Sequence, residues 1–204
     1  MNYIIVVVLG YLLGTINPAY LISKHKNKID IRDVNSKNAG TSNMAITFGL
    51  KWGVLVGILD ILKGFLPVFI LRFIFPDNDV LWILGGLSAI MGHLYPFYLG
   101  FKGGKGTATF GGLVLGIMPI HALILLMLFF VVLFISDFIA LATLFVIIVV
   151  PIVMFFLDFS YISIILVLLY SSISFYKHYP NYKRIYLKEE LGLKAAFKKK
   201  KDKP

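Results

Sequence analysis

From Thr107 to Tyr176 the chain is almost unbroken apolar sequence, with Asp137 and Asp158 its only formally charged residues. Water cannot solvate such a stretch, and a soluble core has no room for it. A hydrocarbon layer about 30 Å thick needs roughly 20 apolar residues per helical crossing, since a helix rises about 1.5 Å per residue. Runs of that size recur along most of the sequence. Composition agrees: 59% of residues are hydrophobic, 15% are charged and the mean hydropathy is +0.87, far from a soluble domain. The expected fold is therefore all-α, a polytopic integral membrane protein forming one packed domain over residues 1–204, with a basic cytoplasmic tail from about residue 190.

Breakers and basic loops give the topology. The first run, roughly Tyr3 to Ser23, lacks a basic leader and a small-residue cleavage site before Lys24, so it reads as a retained span. Lys24, Lys26, Lys28, Arg32 and Lys37 crowd just beyond it, and the positive-inside rule assigns that loop to the cytoplasm and the N-terminus to the outside. A second span, Lys51 to Phe75, reaches the acidic turn "PDND", and a third, Val80 to Leu99, returns to Lys102 and Lys105. Pro119, Asp137 and Asp158 cut the long apolar stretch into four segments, the first of them short enough to be a partial crossing. About seven helices result, N-terminus out and C-terminus in. Arg72 is the basic residue on the wrong side of this scheme, and its long stem would let it snorkel outward.

The absence of cysteine excludes disulfides and thiolate chemistry, and the four histidines have no zinc-like spacing, so no metal site is expected. A net charge of +10 would point a soluble protein toward nucleic acid. Here the cations fall in loops beside apolar runs, where anionic headgroups are their partners, and no nucleic-acid partner is expected. The tail "KKKKDK" is assigned to the same anionic surface.

Three polar segments share the cytoplasmic side in this topology: "DIRDVNSKNAGTSN", "GHLYPFYLGFKGGKGTAT" and "KHYPNYKRIYLKEE". In the second, Gly103, Gly104 and Gly106 permit positive-φ shapes in which successive amides converge on an anion, while Lys102, Lys105 and the following helix start add positive charge. A flexible turn with two solvated lysines is the plain alternative. The Walker spacing is absent, so ATP hydrolysis gains no support. In the first segment, Ser36, Asn38, Gly40, Thr41, Ser42 and Asn43 precede a helix; one or two suit caps and the others suit phosphate or carbonyl oxygens. In the third, a helix would bring His178, Asn181 and Arg184 to one face, although Pro180 opposes its start. Asp60 and Lys63, three apart inside the second span, are expected to pair for structural reasons. His121, Asp137 and Asp158 mark helix ends.

The second motif, together with "SKNAGTSN", "HYPNYKR" and the later glutamate, resembles the bacterial membrane-bound acyl-phosphate-dependent glycerol-3-phosphate acyltransferases, the PlsY family. "GTINPAYLIS" and "LDILKG" extend the resemblance over nearly the whole chain. It implies a multi-pass protein of the bacterial plasma membrane with a cytoplasmic-side site. The implied reaction moves a fatty acyl group from acyl phosphate to the sn-1 hydroxyl of glycerol 3-phosphate, giving lysophosphatidic acid and phosphate without a cofactor. By position, Ser36, Asn38, Lys105, His178 and Asn181 match the family's polar active-site residues. Gly103, Gly104 and Gly106 match its phosphate loop and Glu190 an acidic support of the fold, while Thr41 and Asn43 are expected as further phosphate contacts from the polar run of the first segment itself.

Several positions depart from the family pattern. Asn35, Ser36, Lys37, Asn38 replace Gly-Ser-Gly-Asn, Thr41 replaces an alanine, and a phosphate-holding arginine falls at Ile46. Tyr179 and Lys188 stand where arginine and glycine are usual. Capture of the acceptor phosphate would then be rebuilt around Lys37 or Lys51, or another acceptor would be used. The alternatives are a relative with a different acceptor, a catalytically silent relative, or a transporter or binding protein for anionic solutes.

Overall fold

The computed structural model describes residues 3–195, and every regular element among them is helical. The chain divides into two compact units, Met1–Pro119 and Ile120–Pro204. Among the described residues, six helical stretches are long and apolar enough to cross a bilayer: Tyr3–Lys26, Leu50–Ile74, Asp79–Leu99, Pro119–Ser136, Ile139–Phe156 and Tyr161–Tyr186. A shorter apolar helix, Thr107–Ile117, stands where the partial crossing was expected. The tail "KKKKDK" lies outside the described residues.

The first stretch is not one helix. It is α1 (Tyr3–Thr15) and α2 (Pro18–Asn27), separated at Ile16 and Asn17, an interruption the apolar run did not reveal. Pro18 cannot supply a backbone donor, so it opens α2, and the Asn17 side chain caps it by accepting from the Tyr20 amide at 2.9 Å. Backbone groups freed inside a membrane need partners. The Tyr98 hydroxyl donates to the Thr15 carbonyl (2.8 Å) and accepts from the Asn17 amide (3.3 Å), and the Lys63 ammonium donates to the Ile16 carbonyl (3.0 Å).

After a short helix, α3 (Thr41–Phe48), come α4 (Leu50–Ile74), α5 (Asp79–Leu94) and α6 (Thr107–Ile117). In this unit α1 runs parallel to α5 through close contacts: a Cβ on Gly14 would sit 1.9 Å from the Ala89 carbonyl oxygen. Likewise α4 runs parallel to α6, where a Cβ on Gly64 would sit 1.9 Å from the Thr109 carbonyl oxygen. Small residues let backbones approach where no hydrophobic drive separates helix from lipid. Arg72, in the last turn of α4, donates to the Gly116 and Ile117 carbonyls and lies over the Trp82 ring. Instead of reaching outward it caps the end of α6. Eleven residues span only about 16 Å. With one end beside Arg72 and Thr109 beside Gly64, α6 begins level with the middle of α4, so the glycine loop before it is sunk into the unit.

The second unit contains α7 (Pro119–Ser136), α8 (Ile139–Phe156) and α9 (Tyr161–Tyr186). The two aspartates read as breakers take left-handed turns, with φ 68° at Asp137 and 55° at Asp158, a conformation short polar side chains tolerate. Ser171 of α9 donates to the Ile147 carbonyl of α8 at 2.8 Å. Beyond α9 the chain folds back so that the Leu193 and Lys194 amides bond the Asp137 carbonyl and carboxylate.

Candidate functional site

The first polar loop is shaped by a side chain that had been assigned to substrate. Asn43 is fully buried, and its amide nitrogen donates to the carbonyls of Ile31 (2.8 Å), Val34 (3.1 Å) and Asn38 (3.0 Å). An amide wholly engaged with its own loop is a staple, so the expectation that Asn43 contacts phosphate is corrected. Thr41 opens α3 behind Gly40, which forms no side-chain cap, and packs toward Gly57 of α4. The loop thus presents Ser36 and Lys37 outward, with Asn38 half-buried beside them. Asn35 and Lys37 adopt φ values of 47° and 54°, so the two places where the family has glycine keep the left-handed backbone that glycine serves. Ile46, half-buried in α3, brings no charge.

Arg32 ties this loop to the glycine loop, and no motif had singled it out. Its guanidinium pairs with Asp30 (2.7 Å) and donates to the carbonyls of Leu99 (2.7 Å) and Lys102 (3.3 Å). The hydrogen bond from Arg32 holds the Asp30 carboxyl below the usual carboxylate range, and the same bond raises the Arg32 pKa. Where the loops meet lies an open cleft of about 540 Å³ lined by Arg32, Asp33, Lys37, Lys102 and Gly103.

The glycine loop differs from its expected form. Only Gly106 of the three named glycines has a positive φ, 86°. The Gly103 and Gly104 amides do not converge on an open space: they donate to the carbonyls of Leu94 (3.1 Å) and His93 (3.0 Å) at the end of α5. Glycine is required there by crowding, since a Cβ would come within 2.0 Å of the His93 carbonyl at Gly103 and of His93 Nε2 at Gly104. What the loop offers an anion is half-buried Lys105 beside the start of α6, where Gly106 adds no side-chain cap and the helix dipole is positive.

Behind the loop, Lys63 meets Asp60 at 2.8 Å as expected from their spacing. The pair is in fact a trio, because His93 Nδ1 lies 2.7 Å from Lys63 Nζ and 3.4 Å from Asp60. Lys63 also borders an apolar groove of about 350 Å³ between the α1–α2 break and α4, lined by Leu13, Ile16, Leu21, Leu59 and Leu62.

In the second unit, α9 runs through Pro180 without ending, so His178, Asn181 and Arg184 do share a helix. His178 is buried, its ring 6.2 Å from that of Tyr182. Glu190 accepts from the Asn181 amide (2.6 Å) and from the Arg184 guanidinium. The return that delivers it passes through Lys188, whose φ of 60° accounts for the family's preference for glycine there.

Comparison with known proteins shows the family. The family model described as glycerol-3-phosphate acyltransferase matches residues 4–188. A glycerol-3-phosphate acyltransferase of Staphylococcus haemolyticus is 39% identical, covering 95% of this chain and 99% of its own length. One from Endomicrobium trichonymphae is 35% identical over 97% and 98%. The crystal structure of PlsY (YgiH), an integral membrane glycerol 3-phosphate acyltransferase, in its glycerol 3-phosphate form superposes with a TM-score of 0.88 at 32% identity, covering 93% of this chain and 94% of that one. Its lysophosphatidic acid form gives 0.84 at 30% identity with the same coverage. With its motifs, its helices and its full-length relatives in agreement, this multi-pass membrane chain belongs to the glycerol-3-phosphate acyltransferase family.

Proposed function

We propose that the chain transfers a fatty acyl group from acyl phosphate to the sn-1 hydroxyl of glycerol 3-phosphate, at the cytoplasmic side of a bacterial plasma membrane. The observation that carries this reading is the sunken glycine loop: Lys105 and the positive end of α6 stand level with the middle of α4, in the same unit as an apolar groove and a cationic cleft. A donor with a fatty chain and a phosphate needs both environments at once. The groove takes the chain and the Lys105 region takes the phosphate. The cleft, with Arg32, Lys37 and Lys102, replaces the charge that Ile46 lacks and receives the acceptor phosphate.

Acyl phosphate is a mixed anhydride, so the donor arrives activated. The acceptor oxygen attacks the carbonyl carbon, a C–O ester bond forms, and the carbon–phosphate oxygen bond breaks to release inorganic phosphate. The hydroxyl proton passes to the departing phosphate. Ser36 and Asn38 orient the reacting groups, and cations offset charge as it shifts onto phosphate.

The test is direct. Reconstituted protein incubated with palmitoyl phosphate and glycerol 3-phosphate is expected to release phosphate and form lysophosphatidic acid in equal amounts. Absence of both products refutes the proposal. Replacing palmitoyl phosphate by palmitoyl-CoA checks the donor, and product formation at equal rate would overturn the acyl-phosphate assignment. Ile46 favours a second reading, a different acceptor, and turnover with another alcohol but none with glycerol 3-phosphate would establish it.

A further inference from the structure

Three ionisable side chains buried inside a membrane unit are costly unless they perform a task. Asp60, Lys63 and His93 are all nearly inaccessible; Lys63 borders the apolar groove, and none of the three is given a phosphate or a reacting atom in the reading above. An ammonium group has three N–H donors. Three acceptors surround Lys63 Nζ: Asp60 Oδ1 at 2.8 Å, His93 Nδ1 at 2.7 Å and the Ile16 carbonyl at 3.0 Å. Lys63 therefore grips one edge of the imidazole while anchoring itself to α4 and to the α1–α2 break.

With Nδ1 turned to Lys63, the opposite edge of the ring faces the glycine loop, and Nε2 lies where Gly104 has no room for a methyl group. The His93 carbonyl accepts from the Gly104 amide. One residue thus holds Gly104 from two directions, and the next residue in the chain is Lys105. We propose that Asp60, Lys63 and His93 form a clamp that sets the height and orientation of the glycine loop, with His93 the positioning residue for Lys105. The clamp rests on the reading of that loop as the phosphate site.

The experiment compares variants in proteoliposomes by KM, kcat, the inhibition constant of inorganic phosphate and the thermal unfolding midpoint. His93→Asn keeps an acceptor near Lys63 and removes the edge that meets Gly104. It is expected to raise the phosphate inhibition constant and the KM for the phosphorylated donor by about tenfold, with a smaller change in kcat. Gly104→Ala is expected to do the same, and combining it with His93→Asn to recover part of the loss, since the colliding ring is gone. Constants within about twofold of the parent in His93→Asn, while Lys105→Ala weakens phosphate, would overturn the clamp alone. Unchanged constants in Lys105→Ala would overturn the reading of the loop and the clamp with it. Should His93→Asn fail to fold, Asp60→Asn combined with Lys63→Met removes both charges together. The same tenfold rise supports the clamp, and unaltered constants refute it.

Discussion

Asn43 and Glu190 do similar work by different means. Each folds a polar segment back on itself through a single side chain. Asn43 is neutral, inaccessible, and bonded to three backbone carbonyls, so it sets the shape of the main chain. Glu190 is charged, half-buried, and bonded to the side chains of Asn181 and Arg184, so it sets the aim of side chains on a helix that forms without it. A buried anion opposite carbonyls would be repelled and poorly solvated, whereas a carboxylate near water with a guanidinium partner loses little hydration. Where the backbone must be shaped in a dry place, an amide serves; where side chains of a helix must be aimed near water, a carboxylate does.

Exchanging the chemistries should break that comparison most visibly at Asn43. Asn43→Asp places a carboxylate against three carbonyl oxygens, and Asn43→Ala leaves those oxygens without their donor. Both should destabilise the first unit by about 2–4 kcal/mol and abolish lysophosphatidic acid formation, as followed by thermal unfolding and product assay. Aspartate should be the worse of the two. At Glu190 the order reverses toward function: Glu190→Ala should lower kcat about tenfold with a small change in unfolding midpoint, while Glu190→Gln, which still accepts from Asn181, should retain most activity.

Backbone strain supplies a milder test. Lys188, on the return to Glu190, holds a left-handed conformation that costs an ordinary side chain about 1 kcal/mol or more. Lys188→Gly should therefore raise stability by about 0.5 kcal/mol once the greater freedom of glycine in the unfolded chain is subtracted. The smallest effect concerns pH. Because Arg32 lowers the Asp30 pKa from 3.8, the pair stabilises the fold above that value and the contribution fades as pH falls through the folded-state pKa. Unfolding midpoints of the parent should drop slightly more than those of Asp30→Asn on acidification through this window.

Much of the architecture was legible because the bilayer imposes simple rules. Pro119, Asp137 and Asp158 fall at helix boundaries where expected, and the Asp60–Lys63 spacing forecast its ion pair. What escaped notice depended on contacts distant in sequence. Arg32 gains its role from the Leu99 and Lys102 carbonyls, and His93 from Lys63. The histidine lay in plain view inside the second motif, yet nothing local distinguishes a clamp from a helix-end imidazole. Asn43 was misassigned for the same reason, since a polar residue among polar neighbours gives no sign of which way it faces. At Gly103 and Gly104 the expected conformational freedom is not used; crowding by the His93 carbonyl and ring is what requires glycine. At Asn35, Lys37 and Lys188 the left-handed backbone persists without glycine, which residue identity alone hid.

The interrupted first stretch also bears on how the protein comes to exist. Ile16 leaves the ribosome well before Lys63, the residue 47 positions later that satisfies its carbonyl. Tyr98, which completes the neighbouring backbone groups, comes later still. The opening segment is therefore inserted with its bonding unfinished, and its final bend waits for helices not yet made. Biogenesis of this unit is a joint act of its earliest and later parts, and a nascent chain halted before Lys63 emerges should hold its first span in a different form from the finished protein.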